Sequence, residues 1–138
     1  MPNLVSEIMT THPESLAASA TVVEAARIMR DKNIGDIIVL ENDIVCGIVT
    51  DRDIVIRGLA TGGGPETKLA DVCSHEVTTL PIDSKIGDAV KLMEEKALRR
   101  LPVVDDGKPV GIVSLGDLAI VRDRDSALGQ VSAAPPNN

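Results

Sequence analysis

The chain has 138 residues, 43% of them apolar, a formal net charge of −7, and no Phe, Tyr or Trp. That length suits one domain of usual size or two small halves sharing a core. The acidic balance excludes broad nucleic-acid or anionic-membrane binding, and the missing aromatics remove the stacking platforms that hold single strands.

In chain order, Val5–Met9 is expected to be a short lead-in helix, broken by Thr11-His12-Pro13, and Ser15–Ala17 a short strand. Thr21-Val22-Val23-Glu24 has the capping-box form. Val22, Ala25, Ala26, Ile28 and Met29 then follow helical spacing to about Lys32, where Asn33 or Gly35 can end the helix. The apolar, β-branched run Ile37–Leu40 predicts a buried strand, Glu41-Asn42-Asp43 a turn, Ile44–Thr50 a strand, and Asp51–Ala60 a helix. The Gly-rich stretch Thr61–Thr67 is a linker. Beyond it come a strand near Val77–Leu80, a helix from about Ser84 to Ala97, and a strand at Leu101–Val104. A turn at Asp105–Lys108, a strand at Val110–Ser114 and a helix at Leu115–Val121 complete the order. The tail, residues 124–138, has few large apolar groups and is expected to be disordered.

The second series repeats the first. Val5–Ile56 aligns without a gap on Leu69–Ile120, an offset of 64 (69 minus 5) that places Ala25 on Ala89, Met29 on Met93, Gly47 on Gly111 and Asp53 on Asp117. The fold class read from this is α+β, two β-α-β-β-α repeats (residues 5–60 and 69–123, joined by 61–68) packed about a pseudo-twofold axis. Each repeat carries G-I-V-[T/S]-x-x-D at a strand-to-helix corner, Gly47–Asp53 and Gly111–Asp117. A hydroxyl and a carboxylate at that spacing fit two roles: a helix cap, worth ~1 kcal/mol, or a reader of a ribose-like diol, since a carboxylate can accept from both hydroxyls.

The tandem plan, the repeated corner and Arg99-Arg100-Leu101-Pro102-Val103-Val104-Asp105 resemble a pair of CBS domains, a Bateman module, over about Val5–Val121. Thr50–Ala60 is also similar to small stand-alone actinobacterial CBS proteins of the hypoxic-response type. The resemblance implies two clefts between the repeats, each an adenosine site built from one repeat's corner and the other's strands. The first draws on Ile48, Thr50, Arg52 and Asp53, with Thr79, Leu80, Leu98, Arg99, Arg100, Leu101 and Pro102. The second draws on Ile112, Ser114, Gly116 and Asp117, with Ser15, Leu16, Ile34, Gly35, Asp36 and Ile37. Gly35 and Asp36 stand where the first cleft has Arg99 and Arg100. The first cleft is therefore expected to take an adenine nucleotide, the second an uncharged nucleoside or nothing.

Other constellations are sparser. His12, Cys46, Cys73 and His75 could supply metal ligands, but no zinc-finger spacing is present, and two buried thiols with two turn histidines are the favoured account, so no metal site is expected. No nucleophile-elbow, P-loop or H-E-x-x-H motif occurs, so an enzyme is not expected. No run approaches the roughly 18 apolar residues of a membrane span, and the N-terminus lacks a signal-peptide pattern. The reading is a cytoplasmic regulatory module that needs no cofactor and binds AMP, ADP, ATP or another adenosyl compound. It would form a homodimer and act on an unidentified partner protein. The alternative is a dimeric scaffold with vestigial clefts.

Overall fold

Thr21 opens the first long helix as its capping box predicts: its Oγ1 accepts the Glu24 N–H at 3.3 Å, and its own N–H donates to Glu24 Oε2 at 3.2 Å. This helix, α1, spans Val22–Lys32, buries Val22, Ala25 and Met29 as one stripe, and ends on Asn33 in the left-handed conformation (φ 55°). The computed structural model describes residues 3–74 and 77–122. His75 and the expected disordered tail lie outside the described residues.

The first repeat holds strands β2 (Ser15–Ala17), β3 (Asp36–Glu41) and β4 (Ile44–Thr50) in the order β2-β3-β4, with β2 parallel and β4 antiparallel to β3. The second holds β5 (Leu80–Pro81), β6 (Arg100–Asp105) and β7 (Lys108–Ser114) in the same arrangement, extended by β1 (Thr10–Thr11) on the far edge of β7. Both hairpins turn in two residues with positive φ, Asn42-Asp43 and Asp106-Gly107, the geometry that matches strand twist. Each hairpin also carries a bulge at the same place, between Val39 and Leu40 and between Val103 and Val104.

Helix α4 (Ile86–Lys96) repeats the buried stripe of α1 as Ile86, Ala89 and Met93, yet it is capped differently. Its N-cap, Lys85, makes no side-chain hydrogen bond, and Ala97 takes the left-handed place held by Asn33. A Cβ in that conformation costs about 1–2 kcal/mol.

The compact units differ from the linear repeats. One takes the described residues up to His12 and from Thr78 onward; the other takes Pro13–Val77. Each lead-in therefore belongs with the opposite repeat. Val5 donates its N–H to Ser84 and Ile86 donates to Asn3, while Leu69 donates to Ala20 and Val22 to Thr67. Val5 is accordingly buried in the core of Leu80, Met93, Leu101, Val103, Val113 and Leu118. Leu69 and Val72 are buried in that of Ala25, Met29, Ile37, Val39 and Val49.

Several expected elements change. The lead-in helix is one 3₁₀ turn, Val5–Glu7, and its counterpart is a four-residue helix, α3 (Leu69–Val72), that falls after the linker. The strand expected at Val77–Leu80 is only Leu80–Pro81, because these two residues alone find partners, Val103 and Val104, on β6. The helix expected at Asp51–Ala60 is α-helical for Asp51–Asp53 (α2) and π-helical for Ile54–Leu59, where the Ala60 N–H reaches the Val55 carbonyl at 2.9 Å. The last helix, α5, spans Leu115–Arg122. No helix among the described residues is long and apolar enough to cross a membrane.

Candidate functional site

The corner glycines are fixed by crowding. A Cβ on Gly47 would run into the Ser74 carbonyl oxygen, where the chain after α3 crosses β4 and Ser74 donates its N–H to Ile48 at 3.0 Å. A Cβ on Gly111 would meet the Met9 side chain, ahead of β1. Both glycines have ordinary φ, so close approach, and not backbone freedom, selects them.

Three residues on, each strand hands over to a helix through a matched capping box. The Asp53 N–H donates to Thr50 Oγ1 at 3.1 Å and the Thr50 N–H to Asp53 Oδ2 at 2.9 Å. The Asp117 N–H donates to Ser114 Oγ at 3.1 Å and the Ser114 N–H to Asp117 Oδ2 at 2.9 Å. The helix-cap role of both motifs is thus present in the structure. It occupies one oxygen of each carboxylate and leaves Oδ1 for something else. At Asp53 that oxygen lies 3.8 Å from Arg57 Nε, one turn along the helix. The i, i+4 spacing of Asp53 and Arg57 could have disclosed this pair from sequence.

Each cleft implied by the resemblance draws on both units, and each half stands as follows. Beside the first corner, Ile48 is half-buried and Arg52 exposed. In the second repeat, Thr79 and Leu98 are half-buried, Leu80, Leu101 and Pro102 buried, Arg99 exposed and Arg100 half-buried. Beside the second corner, Ile112 and Gly116 are half-buried. In the first repeat, Ser15, Leu16, Ile34, Gly35 and Asp36 are half-buried and Ile37 is buried. Leu101, Leu80 and Ile37 fill the interior of their own units.

Within each repeat the start of the central strand lies beside the corner of that same repeat. Asp36 pairs with Thr50 and Arg100 with Ser114 in register. Gly35 O accepts the Asp51 N–H at 3.0 Å, and Arg99 O accepts the Leu115 N–H at 2.8 Å. Gly35 and Asp51 are mutually fitted, since a Cβ at position 35 would come within 3.3 Å of Asp51 Oδ2. The second repeat replaces that pair by Arg99 and Leu115. Between α4 and α5 it also opens a groove of about 560 Å³, lined in part by Met93, Leu98, Arg99, Leu115 and Leu118, which the sequence did not reveal.

The cysteines belong to the first repeat's unit. Cys73 is buried in its core, and Cys46 packs against that core. Burial raises the pKa of both thiols, and nearby negative charge adds to it: Glu41 for Cys46, and the Cys46 thiolate for Cys73. Each is thereby a weaker nucleophile and metal ligand at neutral pH. His12 belongs to the other unit and is exposed, and among the described residues no three His, Cys, Asp or Glu side chains converge as metal ligands.

Comparisons with known proteins agree with the repeated architecture. The chain is 40% identical over 116 residues to CBS domain-containing protein YhcV of Bacillus subtilis, covering 84% of this chain and 83% of that protein. It is 34% identical over 115 residues to hypoxic response protein 1 of Mycobacterium tuberculosis, covering 82% and 80%. A crystal structure of Hypoxic Response Protein I with two coordinated zinc ions matches with a TM-score of 0.76 at 32% identity, covering 84% of this chain and 96% of that one. The CBS domain pair of protein MJ0100, in complex with 5′-methylthioadenosine and S-adenosyl-L-methionine, matches in fold with a TM-score of 0.79 at 24% identity, covering 91% and 100%. The CBS-domain model matches residues 5–59 and again 69–123, and with both corners and both sheets in place, the chain belongs to the CBS-domain family as a tandem pair.

Proposed function

We propose that this CBS pair is a non-enzymatic cytoplasmic sensor that binds an adenosyl ligand of the AMP, ADP or ATP kind and alters its association with itself or a partner protein. The observation that carries the reading is the matched pair of capping boxes. Each holds a carboxylate rigidly by Oδ2, so Oδ1 needs no reorganisation to accept from a ribose hydroxyl. The MJ0100 pair supports an adenosyl ligand as something this fold can accommodate. In the first cleft, Thr50 and Asp53 take the ribose, with Arg99 and Arg100 toward the phosphate. The second, with Gly35 and Asp36, takes an uncharged nucleoside or stays empty.

The test is ligand titration on wild type, Asp53→Asn and Asp117→Asn; Asn keeps an acceptor for the cap and removes the charge. AMP at ~100 times its dissociation constant should add ~2.7 kcal/mol to wild-type stability, and Asp53→Asn should lose that gain. Loss in Asp117→Asn alone would move the nucleotide to the second corner, where Arg100 faces Ser114. The absent aromatics give a direct check: strong near-ultraviolet absorption by purified protein would report a bound nucleobase.

A second reading, a dimeric interaction module with vestigial clefts, is favoured by one feature. Val55, Ile56 and Leu59 on the helix after the first corner are each more than half exposed (53%, 52% and 59%). No stabilisation by any adenosyl compound, with self-association lost in Val55→Ser/Leu59→Ser, would select it.

A further inference from the structure

We infer that Arg57 sets what the first corner accepts, biasing it toward an anionic diol over a neutral one; this rests on the ligand reading above. The two corners share the same cap distances and differ one helical turn on. Residue 57 is Arg, and residue 121, at the same offset just past the aligned stretch (57 plus 64), is a half-buried Val. Asp53 Oδ1 lies 3.8 Å from Arg57 Nε, close enough for Coulomb attraction and too far for a hydrogen bond. The guanidinium is thus held beside the carboxylate while its five N–H donors are not consumed by it. Its side chain is 55% exposed, against 19% for Asp53, so the cation faces outward from a carboxylate set deeper in the corner. Among the described residues, no ion pair reaches Asp117.

The surrounding charge makes this cation matter. Asp51 begins the helix that carries Asp53, so two carboxylates stand at the first corner. Arg57 offsets their repulsion of a phosphate carried by the same ligand whose diol Asp53 is to read, adding to Arg99 and Arg100. With it, a neutral nucleoside meets a carboxylate oxygen already attracted to a cation, whereas a nucleotide brings an anion to the spare donors. Position 57 therefore acts on the difference between two ligands.

The experiment is isothermal titration of AMP and adenosine into the full chain as wild type, Arg57→Val (the residue of the second repeat), Arg57→Lys and Asp53→Asn. Arg57→Val should weaken AMP about two- to five-fold and tighten adenosine by a similar factor, the range of an exposed ion pair. The ratio of the two dissociation constants should then fall by about tenfold, and Arg57→Lys should keep most of it. A merely structural helix pair would move the melting temperature of the unliganded protein and leave that ratio unchanged. An unchanged ratio in Arg57→Val, with binding lost in Asp53→Asn, overturns the role of Arg57 alone. Absence of binding to wild type, or binding indifferent to Asp53→Asn, overturns the ligand reading and this inference together.

Discussion

Replacing Gly47 and Gly111 by alanine, one at a time, asks whether the repeated glycine is there for space. At Gly47 the obstruction is backbone: the added methyl meets the Ser74 carbonyl oxygen, with Cys73 Sγ at 3.1 Å behind it. Making room means pushing the crossing segment off β4 and stretching the 3.0 Å bond from the Ser74 N–H to the Ile48 carbonyl. Overpacking costs about 1–3 kcal/mol, the lost bond about 0.5–1.5 kcal/mol, and the stiffer unfolded chain returns about 0.4–1 kcal/mol. The net is a destabilisation of about 2 kcal/mol. At Gly111 the first obstructions are Met9 Sδ and Cγ, in a flexible side chain that can swing aside, and of the backbone only the Thr10 carbonyl at 3.0 Å must give. We expect less than half the cost there. For a 138-residue chain unfolding as one, 2 kcal/mol lowers the melting temperature by about 7 °C, and by about twice that if only one unit unfolds. Far-UV circular dichroism in urea and on heating is the assay, since no intrinsic fluorescence is available. A Gly111→Ala penalty equal to or above that of Gly47→Ala would refute the argument, as would a neutral Gly47→Ala.

Two further outcomes follow from the asymmetry of the repeats. Lys85→Thr should give α4 the box it lacks, with Asp88 at the third position, and stabilise the protein by ~1 kcal/mol in urea unfolding; no gain would mean the cap geometry does not transfer. The raised Cys73 thiol pKa stabilises the fold at neutral pH, fully below the unfolded value of about 8.5, and that contribution is lost as pH rises through the higher folded value. Stability should therefore decline above about pH 8.5 less steeply in Cys73→Ala than in wild type, and an identical slope would count against burial as the cause.

Local chemistry made much of this readable. Thr21 and Glu24 marked a helix start, Asn33 or Gly35 its end, of which Asn33 is the one used, and the paired turns separated strands of the expected β-branched kind. The corners were readable because a motif seen twice at one offset carries more than either copy. What escaped reading depends on partners distant in sequence. Val77–Thr79 has strand composition but pairs with no strand among the described residues, whereas Thr10–Thr11 forms a strand only because the edge of β7 is open to it. Arg57 lies one turn beyond the corner motif, whose residue pattern does not include it.

The exchanged lead-ins bear on how the chain is made. A cut in the Gly-rich linker, where the repeats divide by sequence, would remove Val5 from one core and Leu69, Val72 and Cys73 from the other. Neither fragment would hold a whole folding unit. On a ribosome the first unit to be completed is the internal one, and it must wait for α3 to emerge. Residues 3–12 wait longer still, since their partners on α4 and β7 lie more than seventy residues downstream. Residues 3–12, made before either unit is complete, are thus placed late, and unpaired strand edges are exposed in the interval. Folding during synthesis should accordingly be slower, and more dependent on protection from aggregation, than two independent repeats would require.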